Sequence, residues 1–424
     1  WTGEADLIPA EALSLVRAHR RTTPLSEVAR LVTQRRRVEL RDSAGVAMAE
    51  IDDDVVSVLD GSRLAGRFRE IEVELAAGSS DDILAPVVRR LRDAGAWRGE
   101  GGPKLEQALG ARVPRDDASQ AVPLGRASSL WTVATATITD GYLRLIERDA
   151  GVRLDEDPED VHRARVATRR LRSDLRTLKP LLDPTWVDDV RPELAWLAGA
   201  LGGVRDADVL ADRLRRQSVA LGGEDARRAG VLVTRLLGER ARARKDLVEV
   251  LESDRYVALL DCLEAAGTSP PVSDDRIARS AGRALTSSDP ARRVLAALVS
   301  RAWRHLDQVV ADLDPEPTDA ALHQVRVRSK RLRYACEAAR PVIGKRAARM
   351  GRAVAAVQEV LGDLNDTAVA RAWLRVAAGD ADAEVAFSAG MIAAMETSEA
   401  ARFRAGWPGA WKRLDRKKLR SWLG

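Results

Sequence analysis

The pattern of hydrophobic and polar positions divides the chain into an early part with alternating periodicity and a longer part with helical periodicity. Between residues 31 and 75, apolar and charged residues alternate in short runs separated by turns that contain Gly and Asp, which predicts antiparallel strands. Residues 98–123 are rich in Gly and Pro and are expected to form a linker. The pattern therefore predicts a small domain over residues 1–97 and a helical domain over residues 124–424.

Within the second domain, apolar residues recur every three or four positions, which is typical of amphipathic helices. Asp-Pro pairs at residues 157–158 and 289–290 favour helix starts, and Gly202 and Gly362 are expected to end helices. The predicted helices cover residues 127–149, 158–182, 186–201, 206–221, 225–251, 255–266, 274–284, 290–313, 318–343, 347–361, 365–378 and 380–404.

One helical stretch occurs twice. The sequence VHRARVATRRLRSDLR, which begins at Val161, is matched by LHQVRVRSKRLRYACE, which begins at Leu322, 161 positions later. A Leu-Gly pair followed by Arg205-Asp206 also recurs, with Asn365-Asp366 in the second copy. A repeat of this length indicates a duplicated helical bundle whose halves meet about a pseudo-twofold axis, over residues of about 124–265 and 274–404.

Each copy of this helix has one basic face. In the first copy, spacings of three and four place His162, Arg165, Arg169, Arg172 and Arg176 together, opposite an apolar face. In the second copy, the same positions hold His323, Arg326, Lys330 and Arg333. A solvated face is the simplest alternative, and a metal pair of the two histidines lacks Cys, Asp or Glu at ligand spacing. Recurrence of the basic positions favours a binding surface for an anion.

Charge and composition agree with this division. Residues 1–97 carry 14 Arg and Lys against 17 Asp and Glu, a net charge of −3. Because the whole chain has a net charge of +5, the remaining residues carry a net charge of +8. Only 4% of residues are aromatic, and none interleaves with the basic face of the first copy to stack bases, which disfavours nucleic acid as the partner. The basic partner surface is therefore expected on the helical domain.

Cysteine content and hydropathy bear on location. Two cysteines cannot form a disulfide framework, which favours a reducing, cytoplasmic setting, and no apolar run is long enough to span a membrane. The chain begins at Trp1 rather than Met, so we expect further sequence upstream. The basic tail over residues 411–422 either contacts polyphosphate, nucleic acid or an anionic membrane surface, or forms a solvated final helix.

The strand over residues 68–75 places Glu70, Glu72 and Glu74 on one face, while Arg35 and Arg37 alternate on a strand expected to be its neighbour. A solvated outer face is the alternative. With Pro24-Leu25 and Asp53-Asp54, this segment resembles the later half of a CYTH domain, the triphosphate tunnel metalloenzyme family. The resemblance implies that Arg35 and Arg37 contact phosphate and that Glu70 and Glu72 are ligands of Mg²⁺ or Mn²⁺. The opening ExExK strand of that family is absent, so the domain is partial and triphosphatase activity is not expected of this chain.

The repeated helix, with a His followed by regularly spaced Arg and Lys, resembles the CHAD family. The resemblance implies two four-helix bundles that bind inorganic polyphosphate on a basic surface between them, and fusion to a CYTH domain is a trait of the family. The expected fold is thus mainly α, with two pseudo-twofold-related four-helix bundles preceded by a partial antiparallel β tunnel-type α+β domain. The implied polyphosphate-binding residues are His162, Arg165, Arg169, Arg170, Arg172, Arg176, His323, Arg326, Lys330, Arg331 and Arg333.

The leading hypothesis is therefore a non-catalytic cytoplasmic protein, associated with polyphosphate granules, that binds inorganic polyphosphate without a cofactor. The alternative is enzymatic: a complete CYTH tunnel hydrolyses triphosphate or polyphosphate with Mg²⁺ or Mn²⁺, and the helical domain recruits the substrate. Nucleic-acid binding through the same basic face is the third and weaker hypothesis.

Overall fold

A computed structural model of the protein describes residues 7–99, 102–110, 123–179, 181–272 and 288–423. The chain forms two compact units, one of Thr23–Gln120 and the other of Trp1–Thr22 with Ala121–Gly424. The described residues before Thr23 thus belong with the helical unit, although their sequence position groups them with the strands. The predicted helix over residues 274–284, where the second repeat was expected to begin, lies outside the described residues.

Two short helices, α1 (Ala10–Leu15) and α2 (Arg17–Arg20), come first in the chain. They are held to the helical unit by polar contacts, among them an ion pair between Arg21 and Asp261 at 3.0 Å. Ala18, in the second of these helices, is completely buried in the core of that unit. This packing explains why the early residues separate from the strands that follow them.

In the part of the small unit that the structure describes, a three-stranded antiparallel sheet is followed by two helices. The strands have the order β1-β2-β3, and glycines with φ of +84° and +60° occupy the two connecting turns. A 3₁₀ turn at Asp81–Ile83 leads into the first helix. The bounds are β1 (Arg30–Arg41), β2 (Ala47–Asp60), β3 (Arg63–Leu75), α3 (Leu84–Asp93) and α4 (Lys104–Leu109).

Over its described residues, the helical unit contains four equivalent helices in each repeat, joined by short turns. The first repeat contributes α5 (Leu130–Leu154), α6 (Pro158–Leu178), α7 (Pro184–Leu221) and α8 (Gly223–Glu252), and α9 (Asp254–Thr268) follows them. The second contributes α10 (Ala291–Ala311), α11 (Asp319–Ile343), α12 (Lys345–Gly379) and α13 (Ala383–Leu414), before the short α14 (Lys417–Arg420). The fold is therefore mainly α with paired four-helix bundles, as predicted.

The prediction that Gly202 and Gly362 end helices is wrong. Both α7 and α12 continue through these positions. One glycine inside a long helix costs only about 1 kcal/mol relative to Ala, which the packing of two helix faces outweighs. A Cβ atom at Gly202 would lie 3.6 Å from Nε of Arg165, so the absence of a side chain leaves space for that guanidinium against α7.

Two hydrophobic cores connect the repeats. The larger contains Leu171 and Leu175 of α6 together with Leu332 of α11. The smaller joins the later halves of α7 and α12, for example through Leu214 and Leu374, and adds α8 and α13. On α7 the change from the first core to the second falls just after Gly202, at the level of the Arg-Asp pair that recurs in the sequence.

The basic tail packs onto the larger core. Trp411, in the last turns of α13, stacks on Trp303 of α10 with ring centroids 5.6 Å apart, and the Arg420 guanidinium lies 5.2 Å from the Trp303 ring centroid. Trp303 is 5% exposed, so its ring is part of the core. Part of the tail therefore covers apolar surface. The final segment is thus not fully solvated, unlike the helix that the alternative interpretation expected.

An ion pair in the smaller core generates the first prediction. Arg213 of α7 donates from Nε and Nη2 to the buried Glu396 of α13, at 2.7 and 2.6 Å. We expect Arg213→Met to lower the free energy of unfolding by about 3–5 kcal/mol, because it leaves a buried carboxylate unpaired. The double variant Arg213→Met/Glu396→Met should regain most of that loss in urea denaturation, whereas a single variant as stable as the parent would contradict the assignment.

Candidate functional site

Four basic side chains meet where α6 faces α11. We call them the central basic cluster: Arg165, Arg169, Arg326 and Lys330. The cluster is symmetric, because Arg326 and Lys330 are each 161 positions after their counterparts Arg165 and Arg169. The positive charges of Arg165 and Arg169 lower the pKa values of both Arg326 and Lys330. The two predicted basic faces therefore converge on one another at these positions.

The apolar faces of the same two helices produce this convergence. Thr168 and Ser329 occupy equivalent positions, are almost completely buried, and each precede a member of the cluster. The Thr168 hydroxyl donates to the backbone carbonyl of Ala164 at 2.8 Å, so it is satisfied within its own helix. Small polar residues at these positions let the helices approach closely, which brings the long basic side chains beside them within range of each other.

The cluster lacks enough negative charge to balance it. Arg165 pairs with Asp206 of α7 at 2.9 Å, and Asp366 of α12 attracts Arg326 and Lys330. Burial and the charges of three arginines together lower the pKa of Lys330 to about 8. Within the part of the chain that the structure describes, the buried Nε atoms of Arg169 and Arg326 have no hydrogen-bond acceptor. An anion between the helices would supply the missing acceptors and charge.

The two histidines lie beside the cluster in different surroundings. His162 is half-buried, and burial together with the charge of Arg205 lowers its pKa. His323 is exposed, and its Nδ1 lies 3.1 Å from Oδ1 of Asn365, which accepts the hydrogen bond. Arg205 and Asn365 are equivalent residues in the recurring segment that follows each Leu-Gly pair, so this segment contributes neighbours of the site.

Sequence reasoning did not assign Arg205, Asp206, Asn365 or Asp366 to the site. Their recurrence after each basic helix, 43 residues after His162 and 42 after His323, was the available signal. A pocket of about 240 Å³ next to His323 is lined partly by Asn365 and Asp319. The recurring segment after each Leu-Gly pair thus lies where α7 and α12 face the basic helices.

The remaining predicted basic residues divide into two groups. Arg170 lies 3.6 Å from the buried Asp174, and Arg333 donates to Glu337 at 2.7 Å and to Gln358 at 3.2 Å. These two arginines are tied to neighbouring side chains. The others, Arg172, Arg176 and Arg331, lie further along the helices near Arg191. The structure therefore does not bring all predicted residues into one group, and their part in ligand binding stays a prediction.

In the small unit, the strand order differs from the expectation that the arginine strand neighbours the glutamate strand. β2 lies between them, with Asp54 paired to Arg35 on one side and to Glu70 on the other. Arg35 donates to Asp54 at 2.8 and 2.6 Å, and Arg37 donates to Asp52 at 2.9 and 3.1 Å. These contacts lower the pKa values of both aspartates and raise those of both arginines.

Carboxylates of this sheet form a cluster with metal-ligating chemistry. Single oxygens of Asp54, Glu70 and Glu72 all lie within 4.8 Å of one another. Lys104 Nζ of α4 lies 2.9, 2.5 and 3.5 Å from them, and hydrogen bonds to Glu70 and Asp54 raise its pKa. The oxygen donors suit Mg²⁺ or Mn²⁺, which would have to displace the ammonium group of Lys104. Asp54 and Lys104 were not among the predicted ligands.

Buried positive charge at the central basic cluster should reduce stability, which Lys330→Met tests. The folded chain releases the Lys330 proton at about 8 and the unfolded chain near 10.5, so the unfolded state binds more protons between these values. The free energy of unfolding of the parent should therefore rise with pH in this window. At pH 7 we expect the variant to be more stable by about 1–3 kcal/mol, and the difference should shrink by pH 10.

Urea denaturation of the parent and of Lys330→Met, each at pH 7 and pH 10, measures this effect. Lys330→Arg is the matched control, because it keeps the charge at both pH values and should show no gain. A Met variant that is less stable than the parent at pH 7 would contradict the view that the empty cluster is strained.

Comparisons with known proteins agree with this geometry. The family model for the CHAD domain matches residues 136–375, which include both basic helices and both Asp residues that face them. The chain therefore belongs to the CHAD domain family. Two uncharacterized proteins of Mycobacterium tuberculosis, from strains CDC 1551 / Oshkosh and ATCC 25618 / H37Rv, are each 33% identical over 440 aligned residues, which cover 98% of this chain and 80% of each relative.

Solved structures share the helical fold. The CHAD domain from the plant Ricinus communis is 25% identical, with a TM-score of 0.54 over 69% of this chain and 95% of that one. PptA from Streptomyces chartreusis is 24% identical, with a TM-score of 0.54 over 67% of this chain and 100% of that one. Among the residues with described positions, no helix is both long and apolar enough to cross a membrane.

Proposed function

We propose that the protein binds inorganic polyphosphate at the central basic cluster, between α6 and α11. The observation that carries this proposal is the convergence of four equivalent cations whose charge and buried donors are not matched by the surrounding described residues. Membership of the CHAD family, which is linked to polyphosphate binding, supports the same ligand. Binding needs no cofactor, because the protein itself supplies the positive charge.

The arrangement suits a linear polyanion better than a single small ion. Successive basic residues on α6 are three or four positions apart, which is about 5 Å along a helix axis. Arginine presents a planar fork that matches the oxygens of phosphate, and binding releases the counterions of the polymer. Nucleic acid is disfavoured, because the sequence of α6 contains no aromatic residue on which a base could stack.

The test is a titration of long-chain polyphosphate into the parent and into the quadruple variant Arg165→Ala/Arg169→Ala/Arg326→Ala/Lys330→Ala. We expect the variant to lose at least about 100-fold in affinity, since charge-assisted hydrogen bonds contribute about 1.5–3 kcal/mol each. The variant should remain folded, because it removes mutual repulsion. Single-stranded DNA of equal total charge, added as competitor, should displace little polyphosphate from the parent.

A matched control removes four exposed basic side chains elsewhere on the helical unit, namely Arg216, Arg242, Lys245 and Arg402. It changes the net charge equally and should bind polyphosphate like the parent. If the control weakens binding as much as the cluster variant does, attraction is only a matter of net charge, and the cluster is not the site. Unchanged binding in the cluster variant would also refute the proposal.

We infer a second, separate binding function for the small unit from its carboxylate cluster. Asp54, Glu70 and Glu72 offer converging oxygens, and Arg35 pairs with the same Asp54, so a divalent cation and a phosphate group could be held side by side. This arrangement favours a metal-binding site over a purely structural sheet, and such a site is the part of the alternative, metal-dependent triphosphatase or polyphosphatase function that the described residues could supply. Metal binding itself is the step that this chain can test.

Removing the competing ammonium group should expose the metal site. We expect Lys104→Ala to bind Mn²⁺ at least about tenfold more tightly than the parent, because three carboxylates then lack their shared cation. Electron paramagnetic resonance of free Mn²⁺ during titration measures the affinity. The control Lys104→Ala/Glu70→Gln/Glu72→Gln should bind weakly. Equal affinities in all three proteins would show that the cluster is not a metal site.

A further inference from the structure

The same pair of helices, together with α10, carries a second group of basic residues. A pocket of about 270 Å³ lies between them and α10. We call it the lateral basic pocket, and its basic lining residues are Arg176, Arg301, His305, Arg328 and Arg331. No member of the central basic cluster lines it.

The arginines of this pocket have no opposing charge in the described structure. Arg176, Arg301, Arg328 and Arg331 make no hydrogen bond or ion pair to another residue with a described position. The Nε atom of Arg328 is buried without an acceptor, as is Nε of the nearby Arg191. Arg176 and Arg301 are exposed, but a buried donor such as Nε of Arg328 is costly without an acceptor, and an anion in the pocket could supply one.

The neutral form of His305 fits this environment. Burial lowers its pKa, and the charges of Arg328, Arg301, Arg304 and Arg331 lower it further. The imidazole is therefore a neutral hydrogen-bonding group beside four cations. A phosphate group would reverse this effect, because a negative ligand favours the protonated ring.

The pseudo-twofold axis relates this pocket to a region of mixed charge. Moving the basic lining residues by 161 positions replaces Arg301 by Asp140, His305 by Arg144, Arg328 by Ala167 and Arg176 by Glu337, while Arg331 corresponds to Arg170. Ala335, at the back of the pocket, corresponds to the buried Asp174. The counterpart region thus has Asp140 and Glu337 in place of two arginines of the pocket. It also has the buried Asp174 in place of an alanine.

Cations in this counterpart region lie beside acidic side chains. Arg144 pairs with Asp140 at 2.9 Å, Arg170 lies 3.6 Å from Asp174, and Arg333 pairs with Glu337 at 2.7 Å. Asp140, Arg144, Arg170 and Glu337 all act on Asp174, which shows that they share one neighbourhood. The duplicated halves are therefore alike at the central basic cluster but differ on its two flanks.

We propose that the lateral basic pocket is a second phosphate-binding subsite, through which a polyphosphate chain held at the central basic cluster leaves on one flank only. This inference rests on the proposed function. A flexible polyanion continues along uncompensated positive charge, which the pocket offers, whereas the arginines of the counterpart region already have carboxylates beside them. Chains long enough to reach the pocket gain contacts there, whereas tripolyphosphate held at the cluster does not.

The experiment compares tripolyphosphate with long-chain polyphosphate by isothermal titration at several salt concentrations. The pocket variant is Arg301→Gln/Arg328→Gln, which removes two unpaired cations and should fold like the parent. The matched control is Arg144→Gln/Arg148→Gln, two arginines of α5, the helix equivalent to α10, that both pair with carboxylates. The quadruple variant of the central basic cluster is measured in parallel.

We expect the pocket variant to bind long chains at least about tenfold more weakly than the parent, while its affinity for tripolyphosphate is unchanged. Its plot of log affinity against log salt should be shallower by about 1 to 2, the number of lost phosphate contacts. The control should match the parent in both measurements.

Two results would overturn the inference while leaving the proposed function in place. One is a pocket variant that binds long chains as tightly as the control does, with binding still lost in the quadruple variant. The other is an equal loss of tripolyphosphate and long chains in the pocket variant, because the pocket would then belong to the first binding step. Full binding by the quadruple variant would instead refute the proposed function, and the inference with it.

Discussion

Like charges held together by apolar packing are the constraint on which this structure depends. Arg165, Arg169, Arg326 and Lys330 repel one another, yet the helices that carry them pack through buried Leu171, Leu175 and Leu332. A fully buried leucine contributes about 1.5–3 kcal/mol, so a core with many of them can hold a few opposed cations in place. The protein thereby keeps these cations close together at the expense of some stability.

Duplication explains why the charges meet as they do. A pseudo-twofold axis places each basic residue of one repeat opposite its counterpart in the other, so a row of cations on one helix becomes a facing pair of rows. The same symmetry makes divergence visible. Arg301 and Asp140, or Arg176 and Glu337, occupy equivalent positions with opposite charge, so the flanks of the site are no longer equivalent although its centre is.

The two units treat charge in different ways. In the small unit, the two buried carboxylates of the central strand have basic partners, Arg35 and Lys104 at Asp54 and Arg37 at Asp52. In the helical unit, several arginines have buried nitrogen atoms without acceptors. A ligand therefore has to compete with an internal ion pair in the small unit, whereas in the helical unit it supplies a partner that the described residues do not.

The sequence alone determined the helical repeat, its basic face and the antiparallel strands, because helix and strand periodicity and duplication are local properties of a chain. Tertiary structure decided which basic residues meet. Arg333 and Arg326 share one helix face in the sequence, but Arg333 is tied to Glu337 and Gln358 while Arg326 faces α6. It also decided that α7 continues through Gly202, that β2 separates Arg35 from Glu70, and that Lys104 reaches the carboxylates. Those outcomes depend on contacts between residues far apart in the chain, whose energies outweigh local preference and are not encoded in spacing.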